Sequence, residues 1–122
     1  MADSQKHILI VEDERPLSHA LELKLQHEGF TVVVATNGQE CLDLVDKEKF
    51  DVLLLDLIMP VMDGFQVLEA LKAKKNAPSA VFVLSNLSQH EDEARVVALG
   101  AKKFFIKSDT PLTTIIDEVR KI

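Results

Sequence analysis

Six polar residues of this chain follow directly on apolar runs. Glu12, Asp13 and Glu14 follow Ile8-Leu9-Ile10-Val11. Asp56 follows Val52-Leu53-Leu54-Leu55, Ser85 follows Val81-Phe82-Val83-Leu84, and Lys107 follows Phe104-Phe105-Ile106. If Glu12, Asp13 and Asp56 converge, they repel one another. At an effective dielectric near 20 and a separation of about 5 Å, each pair costs ~3 kcal/mol. A cation must offset that cost. A hard divalent ion with oxygen ligands is the natural answer, and Mg²⁺ suits a site with few carboxylates and several waters. Lys107 supplies a further positive charge. Taken singly, each residue has a plainer reading. Asp56 is then a turn residue, Glu12-Asp13-Glu14 a solvated helix start that favours the helix dipole, Ser85 another turn residue and Lys107 a surface charge. The grouping gains meaning only if the fold brings these run ends to one edge.

The elements that must do so alternate along the chain. Strand-like runs lie at His7–Val11, Thr31–Ala35, Asp51–Leu57, Ala80–Ser85 and Lys102–Lys107. Three of them contain unbroken apolar stretches, which suit strands covered on both faces of a parallel sheet. Helical segments lie between. The first has Pro16 in its opening turn and a stop near Gly29. The second can be capped by Asn37 and carries Cys41, Leu42 and Val45. The third follows Gly64, with Phe65, Val67, Leu68 and Leu71. The fourth has capping-box spacing at Ser88 and Glu91 and a stop at Gly100. The fifth opens at Thr110-Pro111 and carries Leu112, Ile115, Ile116, Val119 and Ile122 at helical spacing. Five βα units with right-handed crossovers imply an α/β, doubly wound parallel sheet in a single domain over residues 1–122. For five strands the expected order is the flavodoxin-like (βα)5 order 2-1-3-4-5, which known folds of this size supply and these residues alone do not dictate. Its switch point, between the first and third strands, is where a site is expected.

Composition narrows the function classes. The chain has 122 residues, 47% apolar and 28% charged, with 14 basic and 20 acidic side chains and a net charge of −6. That is the size of one domain with a real core. The acidic balance and the absence of Trp and Tyr argue against a nucleic-acid surface. No apolar run reaches the ~18 residues a membrane helix needs. The polar start Met1-Ala2-Asp3-Ser4-Gln5-Lys6 is not a signal peptide, so the expected address is the cytoplasm. A lone Cys41 excludes an internal disulfide, and His7, His19, His27 and His90 form no ligand pattern.

From Ile8 to Ile122 the sequence closely resembles the receiver domain of two-component response regulators, chemotaxis regulators among them. The resemblance rests on Ile8-Leu9-Ile10-Val11-Glu12-Asp13, on Asp51 through Gly64 with its specific stretch Asp56-Leu57-Ile58-Met59-Pro60-Val61-Met62-Asp63-Gly64, on Leu84-Ser85, and on Gly100 through Lys107. It implies that Asp56 takes a phosphoryl group from a phosphohistidine on a sensor histidine kinase or a histidine phosphotransfer protein. It implies that Glu12, Asp13, Asp56 and the backbone carbonyl of Ile58 hold Mg²⁺, that Ser85 donates a hydrogen bond to the phosphoryl group and that Lys107 pairs with it. Phe104 stands at the switch-aromatic position; plain core packing is its alternative. Phosphorylation then shifts a surface formed by the fourth helix, fifth strand and fifth helix. Such a protein is a phosphoacceptor that catalyses only its own phosphorylation and dephosphorylation.

Four positions depart from the family pattern or vary within it. Ser108 stands after Lys107 where the family usually has proline following a cis bond. Because a cis bond before a non-proline costs ~3 kcal/mol, either a trans bond with a rearranged loop or a strained cis bond is expected. Asn86 replaces the family's small residue after Ser85. Ile58 and Leu87, each two residues beyond a reactive position, are apolar and cannot orient an attacking water, which predicts slow self-dephosphorylation.

Other readings remain open on sequence. A flavin carrier would need a phosphate-cradling loop where Glu12-Asp13-Glu14 stands. An aspartyl-phosphate phosphatase would need an Asp where Ile58 stands. A pseudo-receiver would bind partners unphosphorylated. The chain ends where a receiver's last helix should, so it is expected to be either a stand-alone regulator or part of a longer one with an effector domain. The output protein and phosphorylation-dependent dimerisation through the fourth and fifth helices are left open.

Overall fold

The computed structural model describes residues 6–59, 61–86 and 90–122, with backbone only for His90 and Glu91. Five strands, β1 (His7–Val11), β2 (Thr31–Ala35), β3 (Val52–Asp56), β4 (Ala80–Ser85) and β5 (Lys103–Ile106), form one parallel sheet in the order β2-β1-β3-β4-β5. Helices α1 (Arg15–His27), α2 (Gly38–Lys47), α3 (Gly64–Lys72), α4 (His90–Ala98) and α5 (Leu112–Arg120) connect and follow them. This is the expected flavodoxin-like single domain. β3 ends at Asp56 rather than Leu57, and β5 ends at Ile106, so Lys107 lies just beyond the sheet.

The period of two along the strands explains why the middle of the sheet is apolar throughout. Leu9, Val11, Leu53, Leu55, Val81 and Val83 point to one face, where they pack with Cys41, Val45, Val67, Leu68 and Val96 from α2, α3 and α4. Ile8, Ile10, Val52, Leu54, Phe82 and Leu84 point to the other, against Leu21 and Leu25 of α1 and Ile115, Ile116 and Val119 of α5.

Local chemistry sets the helix ends. Asn37 caps α2, its Oδ1 accepting from the Glu40 N–H at 2.9 Å. Asp63 and Gln66 form a reciprocal capping box on α3, a spacing that sequence reasoning missed. α1 and α4 end alike. Gly29 and Gly100 take φ of +98° and +108°. Phe30 then donates to the Leu25 carbonyl at 3.1 Å, and Ala101 to that of Val96 at 2.9 Å. Each left-handed glycine turns the chain straight into the next strand. The expected cap at Ser88 lies outside the described residues. Among the described residues, no helix is long and apolar enough to cross a membrane.

Candidate functional site

The sheet order places the acidic run ends side by side. β1 and β3 are paired, with Val11 opposite Leu55, so Glu12 and Asp56 leave the sheet as neighbours at its carboxyl edge. Glu12 is held by its N–H to the Ala35 carbonyl of β2 at 3.1 Å. Its Oε2 accepts from the Glu14 N–H at 3.0 Å. Asp56 Oδ1 accepts a long bond of 3.4 Å from the Ile58 N–H. The segment after Asp56 folds back upon it: the Gly64 N–H donates to the Leu57 carbonyl at 2.9 Å. A Cβ at Gly64 would lie 2.6 Å from the Asp56 carbonyl oxygen, so only glycine permits this approach. In the same loop, exposed Val61 takes φ of +72°, a strained conformation for a β-branched residue.

Glu12 and Asp56 are almost fully buried, at 1% and 4% exposure, whereas Asp13 is exposed. One carboxylate oxygen from each of the three lies within 4.8 Å of the others. Lys107 reaches into this group. Its Nζ is 2.7 Å from Glu12 Oε1, 3.0 Å from Glu14 Oε1 and 3.3 Å from Asp56 Oδ2. Burial pushes the Glu12 carboxyl up to about 7, against the opposing pull of Lys107 and the Glu14 N–H. Burial likewise raises Asp56, offset in part by Lys107 and the Ile58 N–H. For Lys107, burial disfavours the charged form, but the carboxylates around it outweigh that and hold it above the usual lysine range.

One ammonium thus faces two buried carboxylates and leaves one oxygen of Glu12 without a hydrogen bond of good geometry. That oxygen, Oε1, pairs with it by charge and short distance. A buried, orphaned carboxylate oxygen beside two other oxygen donors fits a hard divalent cation such as Mg²⁺.

Lys107 opens a single 3₁₀ turn, Lys107–Asp109, closed by the Thr110 hydroxyl donating to the Ile106 carbonyl at 2.8 Å. The Lys107–Ser108 bond is trans, so of the two expected bond geometries the trans one is found. Ser85 is fully buried at the end of β4, opposite Ile106. Phe104 packs, half-buried, against the core on the α2–α3–α4 side, while Phe105 meets Phe82 edge-on across the sheet's other face. A cleft of about 320 Å³ opens onto Asp56, lined by Asp13, Glu14, Asp56, Ile58, Asn86 and Lys107. A larger cleft of about 700 Å³ runs between α1 and β2, away from these carboxylates. Its size reflects an open groove, and the convergent charges make the smaller one the candidate site. Asn86 and Ile58 are exposed at that mouth; Leu87 lies outside the described residues. The contact of Glu14 with Lys107 is the feature sequence reasoning missed, because Glu14 reads there only as a helix-start charge.

Residues 8–119 match the response regulator receiver domain family. The chain is 32% identical over 109 residues to a probable transcriptional regulator, ycf27, of Guillardia theta, covering 89% of this chain and 42% of that protein. It is 33% identical over 100 residues to the cell cycle response regulator CtrA of Brucella ovis, covering 82% and 43%. It therefore spans less than half the length of these relatives. Among solved structures, it superposes on the Vibrio cholerae chemotaxis protein CheY4 with a TM-score of 0.89 at 25% identity, covering 97% and 98% of the two chains. On Thermotoga maritima TrrA in complex with Mg²⁺ and BeF, the TM-score is 0.82 at 28% identity, covering 96% and 98%.

Proposed function

Because this chain belongs to the response regulator receiver domain family, we propose that it is a phosphoacceptor switch in which Asp56 carries the phosphoryl group. The donor is a phosphohistidine on a sensor histidine kinase or histidine phosphotransfer protein. The observation that carries this reading is the convergence of Glu12, Asp13 and Asp56 within 4.8 Å on a cleft that also holds the Lys107 ammonium, 3.3 Å from Asp56.

Phosphoryl transfer needs positioning and charge neutralisation more than covalent help. Glu12, Asp13, Asp56 and the Ile58 carbonyl would hold Mg²⁺, which when bound supplies positive charge to the transferring oxygens. An oxygen of Asp56 attacks phosphorus as the bond to the donor nitrogen breaks, leaving an acyl phosphate on the chain. Lys107 pairs with the phosphoryl oxygens, and the Ser85 hydroxyl donates to one of them. Ser85 and Phe104 sit across the β4–β5 pair, Phe104 opposite Val83. In this reading, as the family resemblance implies, Ser85 moves toward the new charge, Phe104 repacks, and the α4-β5-α5 surface is biased toward its output partner or effector domain. The chain acts on nothing but itself in this reading, and it works in the cytoplasm.

Labelled acetyl phosphate with Mg²⁺ should load one phosphoryl group. Hydroxylamine should release it and leave a hydroxamate, as it does for acyl phosphates. Label that resists hydroxylamine would place the group on a hydroxyl, and release without a hydroxamate would place it on nitrogen; either result contradicts the proposal.

The lifetime of the group follows from the cleft. Ile58 stands exposed at its mouth and has no polar atom on its side chain to orient a water. Self-dephosphorylation is expected to be slow, and Ile58→Asn should speed it on the order of tenfold. Rapid loss from the wild type, unchanged by the substitution, would contradict this.

A further inference from the structure

Glu14 occupies the N-cap position of α1, yet its side chain makes no capping hydrogen bond. Its carboxylate turns instead to a residue 93 positions away, accepting from Lys107 Nζ at 3.0 Å. Glu14 is not one of the three clustered carboxylates. Its side chain is 56% exposed, whereas the Lys107 side chain is 10% exposed. It also lines the cleft that opens on Asp56.

The Lys107 ammonium donates to Glu14 Oε1 at 3.0 Å and is ion-paired with Glu12 and Asp56 at 2.7 and 3.3 Å. A phosphoryl group carried on Asp56 that pairs with Lys107 competes with the other two carboxylates for the ammonium. Glu12 is buried and cannot be rehydrated by a small movement. Glu14 can swing into water at little cost.

We infer that Glu14 is a positioning residue, the releasable arm that parks Lys107 before phosphorylation and sets a negative charge at the mouth of the cleft against incoming phosphoryl donors. The inference rests on the proposed function. Glu14 acts through Lys107 and through its field on the donor, without contact with the reacting atoms.

The test follows loading by acetyl phosphate with saturating Mg²⁺. An Asp56 oxygen bonds to phosphorus as the P–O bond to acetate breaks, and acetate leaves. In Glu14→Gln the donor concentration giving half the limiting rate should fall on the order of threefold to tenfold. The limiting rate should change by less than about twofold, since the reacting atoms are untouched. The gap between wild type and variant should narrow in high salt, because the lost repulsion is screened. Glu14→Asp, which keeps the charge, should return the half-saturating concentration to near the wild-type value. An unchanged half-saturating concentration in Glu14→Gln, or a gap that salt does not narrow, overturns the inference while leaving the phosphoacceptor reading intact. Failure of the wild type to load at all overturns that reading, and this inference falls with it.

Discussion

Lys107→Met is expected to weaken the metal-free fold at pH 8 by roughly 3–5 kcal/mol, the usual consequence of removing one partner from a buried ion pair. Met keeps the length and flexibility of the stem, so the loss isolates the charge. Without the ammonium, Glu12 and Asp56 remain buried at 1% and 4% exposure with no cation between them. Both can escape by taking a proton, so the deficit should shrink toward pH 5. Mg²⁺ should restore the variant more than it helps the wild type, because no ammonium competes for Glu12 Oε1. Phosphoryl loading should nonetheless fall on the order of 100-fold or more, since Lys107 is placed to meet charge that develops on the transferring group. Urea unfolding with and without Mg²⁺ reads the first effects, and loading kinetics reads the last. An unchanged metal-free stability, or weaker Mg²⁺ binding in the variant, would show that Lys107 does not balance these carboxylates.

The second large effect runs the other way. Asp56→Asn should stabilise the metal-free protein while removing its function. Burial, partly offset by Lys107, holds the Asp56 pKa above its ordinary 3.8, and burial raises Glu12 from 4.5 to about 7. A carboxyl with a raised folded-state pKa binds its proton more tightly when folded. The stability it contributes is complete below its unfolded pKa and is lost as pH rises through the folded one. Metal-free wild type should therefore lose stability between about pH 4.5 and pH 7 through Glu12, with Asp56 adding in the same direction. Asn at 56 removes one of the two charges, so the variant should match wild type near pH 4. It should exceed wild type at pH 8, where burial penalises the charged carboxylate that Asn replaces. Mg²⁺ should close that gap by favouring the full donor set. Asp13→Ala should do much less, because Asp13 is exposed and its charge is already hydrated. Unfolding curves in EDTA from pH 4 to pH 8 provide the check. A wild type that gains stability across that range would contradict the sign.

The architecture was legible because its signals are local and repeated. Ile8–Val11 and Val52–Leu55 are unbroken apolar runs, and in the fold they occupy the centre of the sheet. Gly29, Asn37 and Gly100 mark helix ends by their own conformational chemistry. The convergence of Glu12, Asp13 and Asp56 follows once β1 and β3 are neighbours. That adjacency came from known folds and not from the residues themselves. Two details could not be read. Where β5 gives way to the 3₁₀ turn depends on Thr110 taking the Ile106 carbonyl, a choice among local hydrogen bonds of similar strength. Which carboxylate of Glu12-Asp13-Glu14 meets Lys107 depends on backbone direction over three residues. Glu12 turns inward, Asp13 stays exposed, and Glu14 folds over the cleft to a lysine brought there only by tertiary structure.

Intact-mass measurement after incubation with acetyl phosphate bears most directly on the claim that these carboxylates gather a cation and make Asp56 a transient phosphate carrier. Wild type with Mg²⁺ should gain a single phosphoryl group, while wild type in EDTA and Asp56→Asn with Mg²⁺ should gain none. Equal gain in EDTA, or gain by Asp56→Asn, would contradict it.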